Sequence, residues 1–442
     1  MYGTTTYTSA LQGIVKTFSI TPRLASFGFT IPFFGVFFAP IYTPHLSERY
    51  GRRPIYLTSL PLFSLFVIIG GLATTFPQIL VARFFAGLTG GPCLVLIEGT
   101  FADIWMASRT VTYYSFLSLA LYCGAGLGPV IGGYVLTGLG PGALSWVALL
   151  FATFSLALAG SMPETYGREI LRRRGKARNP NFMLPPALSG VTLKEMATHT
   201  VINPVRMMVS EPLVIAISLV LALNFAVVFT WFVTVPVVLQ TAYNWEQPKI
   251  GLAFLSAVLG AIAAVVSSVA ADAIPVKRDS AGMRSIEARL YPAMLGVILV
   301  AGSLFWVGFT ARPDVPALVP ILGTAVYVWG NMSIIISFIS YLFDAYPPTG
   351  TLSALTATAC FRILSAGILS IFILDMFNAV TGKWALSIFG FISLGMLPVP
   401  FAIFFLGETL RRKSRFSDRH AMSWMTLQQE QMGDSEDTSL IG

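Results

Sequence analysis

The chain has 442 residues, of which 55% are hydrophobic and 11% charged, and its mean hydropathy is +0.74. A soluble globular domain carries roughly 25% charged residues, so this composition excludes an ordinary water-soluble protein. The formal net charge of +8 would suit nucleic-acid binding only if a polar domain carried a basic patch, and the sequence contains no such domain. We therefore expect a lipid bilayer as partner and no nucleic acid.

Long apolar runs recur along the chain, and each could cross a hydrocarbon core of roughly 30 Å as a helix of about 20 residues. The runs are 24–43, 55–75, 78–101, 111–136, 143–162, 212–239, 249–271, 289–310, 316–342, 351–375 and 384–406. Residues 1–15 would reach only about 22 Å, so we interpret them as the remaining part of a truncated span one. The eleven runs are then spans two to twelve.

Two sets of six spans predict an all-α polytopic membrane protein made of two six-helix bundles, with a site at their interface. The expected division is an N-terminal bundle (1–162, span one partial), a central loop (163–211), a C-terminal bundle (212–406) and a tail (407–442). Loops on one side hold 21 of the 28 Lys and Arg residues. Since cytoplasmic loops are enriched in these residues, we predict a cytoplasmic central loop and cytoplasmic termini. We expect a monomer.

Between spans two and three lies the sequence PHLSERYGRRP, residues 44–54, which we name the loop motif. A basic loop can simply fix topology, and that interpretation suffices for any single arginine. The spacing, however, resembles a loop motif of the major facilitator superfamily, with an acid in place of Asp and Pro44 in place of the first Gly. The residues that carry this resemblance, and hence an implied conformational switch, are Glu48, Arg49, Gly51, Arg52 and Arg53.

The resemblance also implies partners for two residues of the loop motif. Glu48 would face the N-terminus of span eleven near Leu352, where exposed N–H groups favour an anion. Arg52 would pair with Asp103, the acid that follows span four. Such contacts would favour an outward-facing state.

Span five contains the string GAGLGPVIGG, residues 124–133. Glycines at four-residue spacing line one helix face and let backbones approach closely, although such contacts are common in membranes. The full string resembles the antiporter motif of drug:H+ antiporters, which favours export over import. The motif residues are Gly124, Gly128, Pro129, Gly132 and Gly133.

Two charged residues inside span four are candidates for proton coupling, because a charge at this depth is costly unless it is paired, hydrated or functional. Arg83 resembles an RxxxG element of proton-linked members; alternatively it reaches water at the outer interface. Glu98 either titrates during transport or belongs to an arginine network with Asp103, and both interpretations are open. For Arg362 in span eleven and Asp344 ending span ten, we favour a structural pair.

The sequence MPETY at 162–166, followed by ILRRR at 170–174, resembles the signature at the end of span six in fungal twelve-span drug:H+ antiporters. Its arginines would lie at the phospholipid headgroups. The resemblance implies a secondary transporter that exports drugs, polyamines or secondary metabolites in exchange for protons, in the plasma membrane or the vacuolar membrane. A facilitator or proton-linked importer of a small metabolite is the alternative.

A substrate cavity near the midplane is expected to be mostly aromatic with a few polar groups. Polar side chains in hydrocarbon cost free energy unless they face a cavity or another helix. The candidate residues in spans one, seven and ten are Tyr7, Gln12, Asn224, Phe225, Trp231, Tyr327 and Asn331.

Nothing in the sequence favours an enzyme, a metal site or a cofactor. His45, His199 and His420 all lie in loops or in the tail, whereas an intramembrane enzyme needs clustered nucleophiles or ligands within the spans. The three cysteines lie inside apolar runs without metal-binding spacing.

Overall fold

The structure is a computed structural model that describes residues 2–104, 110–140, 142–178, 198–274, 286–346, 348–380, 382–414 and 416. It is built from helices, as the apolar runs predict. The helices of the first half are α1 (Tyr2–Phe18), α2 (Pro22–Val36), α3 (Ala39–Tyr50), α4 (Arg52–Gly71), α5 (Phe76–Ile104), α6 (Thr110–Leu139) and α7 (Ala143–Ser161).

Short helices follow in the region predicted as the central loop: α8 (Gly167–Arg178), a π-helical turn (Thr198–Ile202) and α9 (Asn203–Ser210). The second half contains α10 (Pro212–Tyr243), α11 (Gln247–Ala253), α12 (Leu255–Ala273), a 3-10 turn (Ile286–Leu290), α13 (Tyr291–Thr310), α14 (Leu318–Ala345), α15 (Pro348–Ala379), α16 (Gly382–Met396) and α17 (Pro398–Lys413).

Among the described residues, 11 helical segments are long and apolar enough to cross a membrane, and they coincide with the eleven predicted runs. The all-α membrane fold is thereby confirmed. Some of these segments consist of two elements in succession, and the first, Pro22–Tyr50, joins α2 to α3. Its break at Phe37 and Phe38 precedes Pro40, which has no N–H to donate to a preceding turn.

The connection after the first of these segments is shorter than predicted. Residues up to Tyr50 are helical, so α3 contains the first half of the loop motif, and Gly51 alone turns the chain into α4. Gly51 has φ of 93°, a conformation that costs glycine little because it has no Cβ.

The two halves contact each other mainly through two sets of helices. α6 packs along α1 of its own half and against α11 and α12 of the other half, while α2 packs against α15. At the end of the bundle that holds Gly51, which we name the motif end, each half has an equivalent ion pair. Arg52 Nε lies 3.0 Å from Asp103 Oδ2, and Arg289 Nε lies 2.9 Å from Asp344 Oδ2.

Each of these ion pairs joins the start of one helix to the end of the next long helix along the chain. The correspondence is what two related bundles would produce. The boundaries drawn at residues 162, 211 and 406 remain a prediction.

Candidate functional site

A cavity of about 670 Å³ lies between the two halves, lined by helices from both of them. It extends toward the motif end, where Glu48, Arg52 and Thr351 line it. Most of its wall is apolar, with aromatic side chains from both halves: Phe33, Tyr114, Tyr122, Phe225, Phe229 and Phe232. An aromatic wall with few polar groups is typical of a pocket for a small organic molecule.

Four charged residues among those described line the cavity: Glu48 and Arg52 lie at the ends of their helices α3 and α4, whereas Glu98 of α5 and Arg362 of α15 lie further inside theirs. Glu98 shares the cavity wall with Tyr114 of α6, whose hydroxyl is buried without a hydrogen-bond partner among the described residues. Arg362 extends over the ring of Phe225, with its Cζ 5.0 Å from the ring centroid. The carboxylate therefore belongs to the first half and the guanidinium to the second.

The predicted pair of Arg362 with Asp344 is wrong. Asp344 bonds instead to Arg289, at the start of the neighbouring helix, and Arg289 also holds Asp272 at 2.6 Å. Arg362 lies well inside α15, whereas Asp344 lies at the last turn of α14. Arg362 and Asp344 therefore lie at different depths along their helices and do not meet. Arg362 lines the cavity instead.

The loop motif is held by contacts that fix Arg52 in place. Its side chain forms an ion pair with Asp103, and its Nη1 donates to Ser47 Oγ over 2.6 Å. The Arg52 Cζ lies 5.2 Å from the centroid of the Tyr166 ring. Burial raises the pKa of the Asp103 carboxyl, although Arg52 opposes this shift. Acidification should therefore weaken the pair at a higher pH than for an exposed aspartate.

Glu164 of the MPETY sequence completes this arrangement, and sequence reasoning missed its role. Its Oε1 accepts a hydrogen bond from the Arg52 N–H over 2.8 Å, and its Oε2 accepts one from the Arg53 N–H over 3.3 Å. Glu164 thus caps the N-terminus of α4, where exposed N–H groups favour an anion. The signal available in the sequence was the MPETY signature itself, whose acidic residue lies beside the Gly51 turn in the folded chain.

The other residues of the loop motif differ in their surroundings. Glu48 shares the cavity wall with Leu352 near the start of α15, the region proposed for it by resemblance. Arg53 donates from Nη2 to the Gly160 carbonyl over 2.8 Å, which ties α4 to α7. Arg49 is exposed and lies over its neighbour Tyr50, so a topological role suffices for it.

Arg83 lies away from the central cavity and joins three helices of the first half. Its Nε donates to the Gly28 carbonyl over 2.6 Å, and its Nη2 donates to the Gly3 carbonyl over 3.4 Å. The Arg83 Cζ also lies 4.3 Å from the centroid of the Tyr7 ring. Arg83 and Tyr7 line a second cavity of about 450 Å³. Backbone carbonyls, rather than a carboxylate, stabilise this arginine.

The glycine string of α6 lies where α6 meets α1 and the second half. A Cβ on Gly128 would lie 2.1 Å from Thr5 Oγ1, and one on Gly132 would lie 2.9 Å from Ser9 Oγ. Gly133 faces Gln247, and the Pro129 carbonyl faces Gly251, both on the side of the second half. Gly124 is half-buried. The string therefore lets helices approach at backbone distance.

Most of the predicted cavity residues lie outside the central wall, and only Phe225 lines it. Tyr7 is in the second cavity, where its hydroxyl donates to the Ala25 carbonyl over 2.9 Å. Gln12 is exposed and bonds to Gln240. Trp231 is buried against Tyr327, with ring centroids 5.0 Å apart.

Asn224 and Asn331 also lie away from the cavity wall. Their polar groups form hydrogen bonds between helices instead of facing the cavity. Asn331 Nδ2 donates to the Asn224 carbonyl over 2.9 Å, and the Tyr327 hydroxyl donates to the same carbonyl over 3.3 Å. Asn331 also bonds to Tyr122, which does line the cavity. The polar groups thus join α10, α14 and α6, one shell behind the wall.

Replacing Asn331 with alanine should lower stability by about 1 kcal/mol, the scale of hydrogen bonds between helices in membranes. The change removes the bonds to Asn224 and leaves the Tyr122 hydroxyl without its partner. Thermal unfolding of the purified protein measures the effect. Ser303→Ala is the control, since Ser303 is buried and, within the part of the chain that the structure describes, bonds only to Val300 of its own helix. Equal unfolding temperatures for the two variants would contradict the expectation.

Comparison with known proteins shows that the chain is similar to membrane transporters. Efflux pump FUBT of Fusarium oxysporum is 27% identical over 433 residues, which cover 94% of this chain and 72% of that protein. Polyamine transporter 4 of Saccharomyces cerevisiae is 28% identical over 446 residues, covering 94% of this chain and 67% of that protein. Both relatives are fungal transporters, as the resemblance of the sequence motifs implied.

A solved structure shows the same fold. The proton:xylose symporter XylE, bound to 6-bromo-6-deoxy-D-glucose, matches with a TM-score of 0.66 at 17% identity, over 91% of this chain and 92% of that chain. The sequence model of the Major Facilitator Superfamily matches residues 1–368. The protein is accordingly a membrane transporter of small molecules rather than an enzyme, and the chain belongs to the major facilitator superfamily.

Proposed function

We propose that this protein exports small organic molecules in exchange for protons, by alternating access to the central cavity. The observation that carries the proposal is Glu98, a carboxylate inside a span and in the wall of an aromatic cavity between the two halves. A carboxylate in this position can bind and release a proton within reach of a bound molecule. The names of the relatives, an efflux pump and a polyamine transporter, support export of organic compounds.

The charge distribution supports the direction of transport. With 21 of the 28 Lys and Arg residues assigned to one side, the motif end faces the cytoplasm. The cavity extends toward that end although Arg52 is paired with Asp103, because both residues belong to the first half and their pair does not join the two halves there. This conformation therefore suits entry of a molecule from the cytoplasm, and not the outward-facing state that the resemblance implied for the pair. The plasma membrane is the proposed location, with the vacuolar membrane as the other.

The test uses the full chain reconstituted in proteoliposomes, with spermidine, ethidium and benzoate as probes of different charge and shape. We expect a pH gradient to accelerate export of at least one probe. Glu98→Gln should reduce this acceleration by roughly tenfold or more, since it removes a titrating charge from the span. Arg83→Ala should reduce it less, through the loosened contact of α5 with α1 and α2.

Glu408→Gln serves as the control, because Glu408 is exposed and pairs with Arg412 on the same helix. Proton-driven export that survives both Glu98→Gln and Arg83→Ala unchanged would show that the coupling assignment is wrong. Uptake that follows the probe gradient without proton counterflow would instead favour a facilitator.

A further inference from the structure

Arg362 has an unusual position for an arginine inside a membrane span. Among the described residues, it has no carboxylate at ion-pair distance, and its Nε is buried without a hydrogen-bond partner. The Phe225 ring, 5.0 Å away, holds the guanidinium in the cavity wall. A charge in a span is costly unless something compensates it, so its electrostatic partner needs to be identified.

The candidate partner of Arg362 is Glu98, which lines the same cavity from the first half. Both residues line the same cavity, and the positive charge of Arg362 acts on the Glu98 carboxylate. The other arginine of the wall, Arg52, already has Asp103 at 3.0 Å. An attraction between Glu98 and Arg362 would therefore join the first half to the second through the cavity.

The other described groups around Glu98 do not supply the positive charge that would compensate its carboxylate. Arg52 lies against Gly99, next to Glu98 on α5, and its charge is shared with Asp103. The other titratable groups that act on Glu98, are acted on by it or share the cavity wall are Tyr113, Tyr114 and Tyr122 on α6, Tyr346 at the end of α14 and Glu48 on α3. The tyrosines are neutral at physiological pH, and Glu48 is negative.

We propose that Arg362 is the coupling partner of Glu98: the two halves attract each other through this pair when Glu98 is ionised, and a proton on Glu98 removes the attraction. This inference rests on the proposed function and assigns the residue that transmits the proton's effect to the second half. The conformation that holds the two groups closer binds the proton more weakly, and by linkage the proton favours the other conformation. In this role Arg362 acts through Glu98 and is a positioning residue, although its side chain also lines the cavity.

The experiment measures transport against pH in proteoliposomes, with a probe that the wild-type chain exports. Arg362→Gln should move the midpoint of the pH profile upward by about half a unit or more, because loss of a nearby cation favours the protonated carboxylate. Because Arg362 also lines the cavity, probe exchange without net proton movement is measured on the same preparation, and the midpoints are compared after normalising to that exchange rate. Arg362→Lys keeps the charge and should remain near the wild-type midpoint.

Two further variants complete the test. Glu98→Gln should be insensitive to pH in this range, and the double variant Glu98→Gln with Arg362→Gln should add no further change. Arg23→Gln is the control, since Arg23 is exposed and pairs with Asp375 away from the cavity. An unchanged midpoint in Arg362→Gln with exchange intact would overturn the inference while leaving the proposed function standing.

Folding of the variants is informative as well. If Arg362→Gln fails to fold because Glu98 lacks its compensating charge, the double variant should recover folding, which supports the pair. If Glu98→Gln folds and the double variant does not, Arg362 has a structural role independent of Glu98, and the inference is wrong. Proton coupling that survives Glu98→Gln would defeat the proposed function itself, an outcome distinct from the other two.

Discussion

Gly133→Leu should reduce transport strongly while the chain still inserts into the membrane. A Cβ at Gly133 would lie 2.7 Å from the Gln247 carbonyl oxygen and 3.2 Å from Pro248 Cα. These are backbone atoms, which cannot move aside as a flexible side chain can. Gly251 shows the reciprocal contact, with a Cβ position 2.5 Å from the Pro129 carbonyl oxygen. α6 and α11 therefore meet backbone to backbone.

A larger residue at Gly133 would separate the two halves where α6 and α11 close against each other. Overpacking of this kind costs about 1–3 kcal/mol, and its effect should fall on the conformation in which these helices are in contact. If alternating access requires that closure, transport should fall by roughly tenfold or more, since a barrier increase of about 1.4 kcal/mol changes a rate tenfold. Initial rates in proteoliposomes measure it.

Gly138→Leu is a matched control on the same helix, because nothing lies within 4 Å of a Cβ at that position. It should insert and transport like the wild-type chain. A Gly133→Leu protein that transports at the rate of Gly138→Leu would show that close approach at this contact is not needed.

Glu164→Ala should destabilise the motif end and reduce transport. The Glu164 carboxylate accepts hydrogen bonds from the N–H groups of Arg52, Arg53, Thr165 and Tyr166. Hydrogen bonds to a charged group are worth about 1.5–3 kcal/mol, and the exposed N–H groups at the start of α4 would lose this anion. The ion pair of Arg52 with Asp103 begins at the same residue, so loss of the cap should loosen it.

Thermal unfolding and transport rate, measured on the same preparation, test this prediction. Glu164→Gln should lie between wild type and alanine, because an amide oxygen still accepts a hydrogen bond but carries no charge. Glu408→Ala is the control, as that exposed i,i+4 pair should contribute only about 0.5 kcal/mol. If Glu164→Ala and Glu408→Ala unfold at the same temperature, the cap does not contribute as the hydrogen bonds indicate.

The limits of sequence reasoning are clearest for the cavity. Asn224 and Asn331 were expected to face it, since a polar side chain in hydrocarbon needs a cavity or another helix. The structure places them against each other between α10 and α14. A span that is apolar on most of its circumference has no periodic pattern that shows which face meets which neighbour. The sequence therefore does not show how these helices are rotated about their own axes.

Arg362 and Glu164 show the same limit for charges. The sequence shows that both residues are charged and that one lies in a span, but pairing depends on depth along each helix and on which helices are neighbours. In the sequence, Asp344 lies nearer to Arg362 than Glu98 does. The Asp344 carboxylate nevertheless pairs with Arg289 at the motif end. Glu164 precedes α8 in sequence but bonds to the start of α4, more than a hundred residues earlier.

By itself, the sequence determined the solvent, the number of apolar spans and the family, because these depend on segment length, composition and motifs that are local in the chain. It also placed Arg52 opposite Asp103 by resemblance, a contact that the structure contains. Only the tertiary structure decided which side chains line the cavity, that Glu98 and Arg362 share its wall, and that Glu164 caps α4. These contacts join distant segments, and the packing of helices against one another sets them.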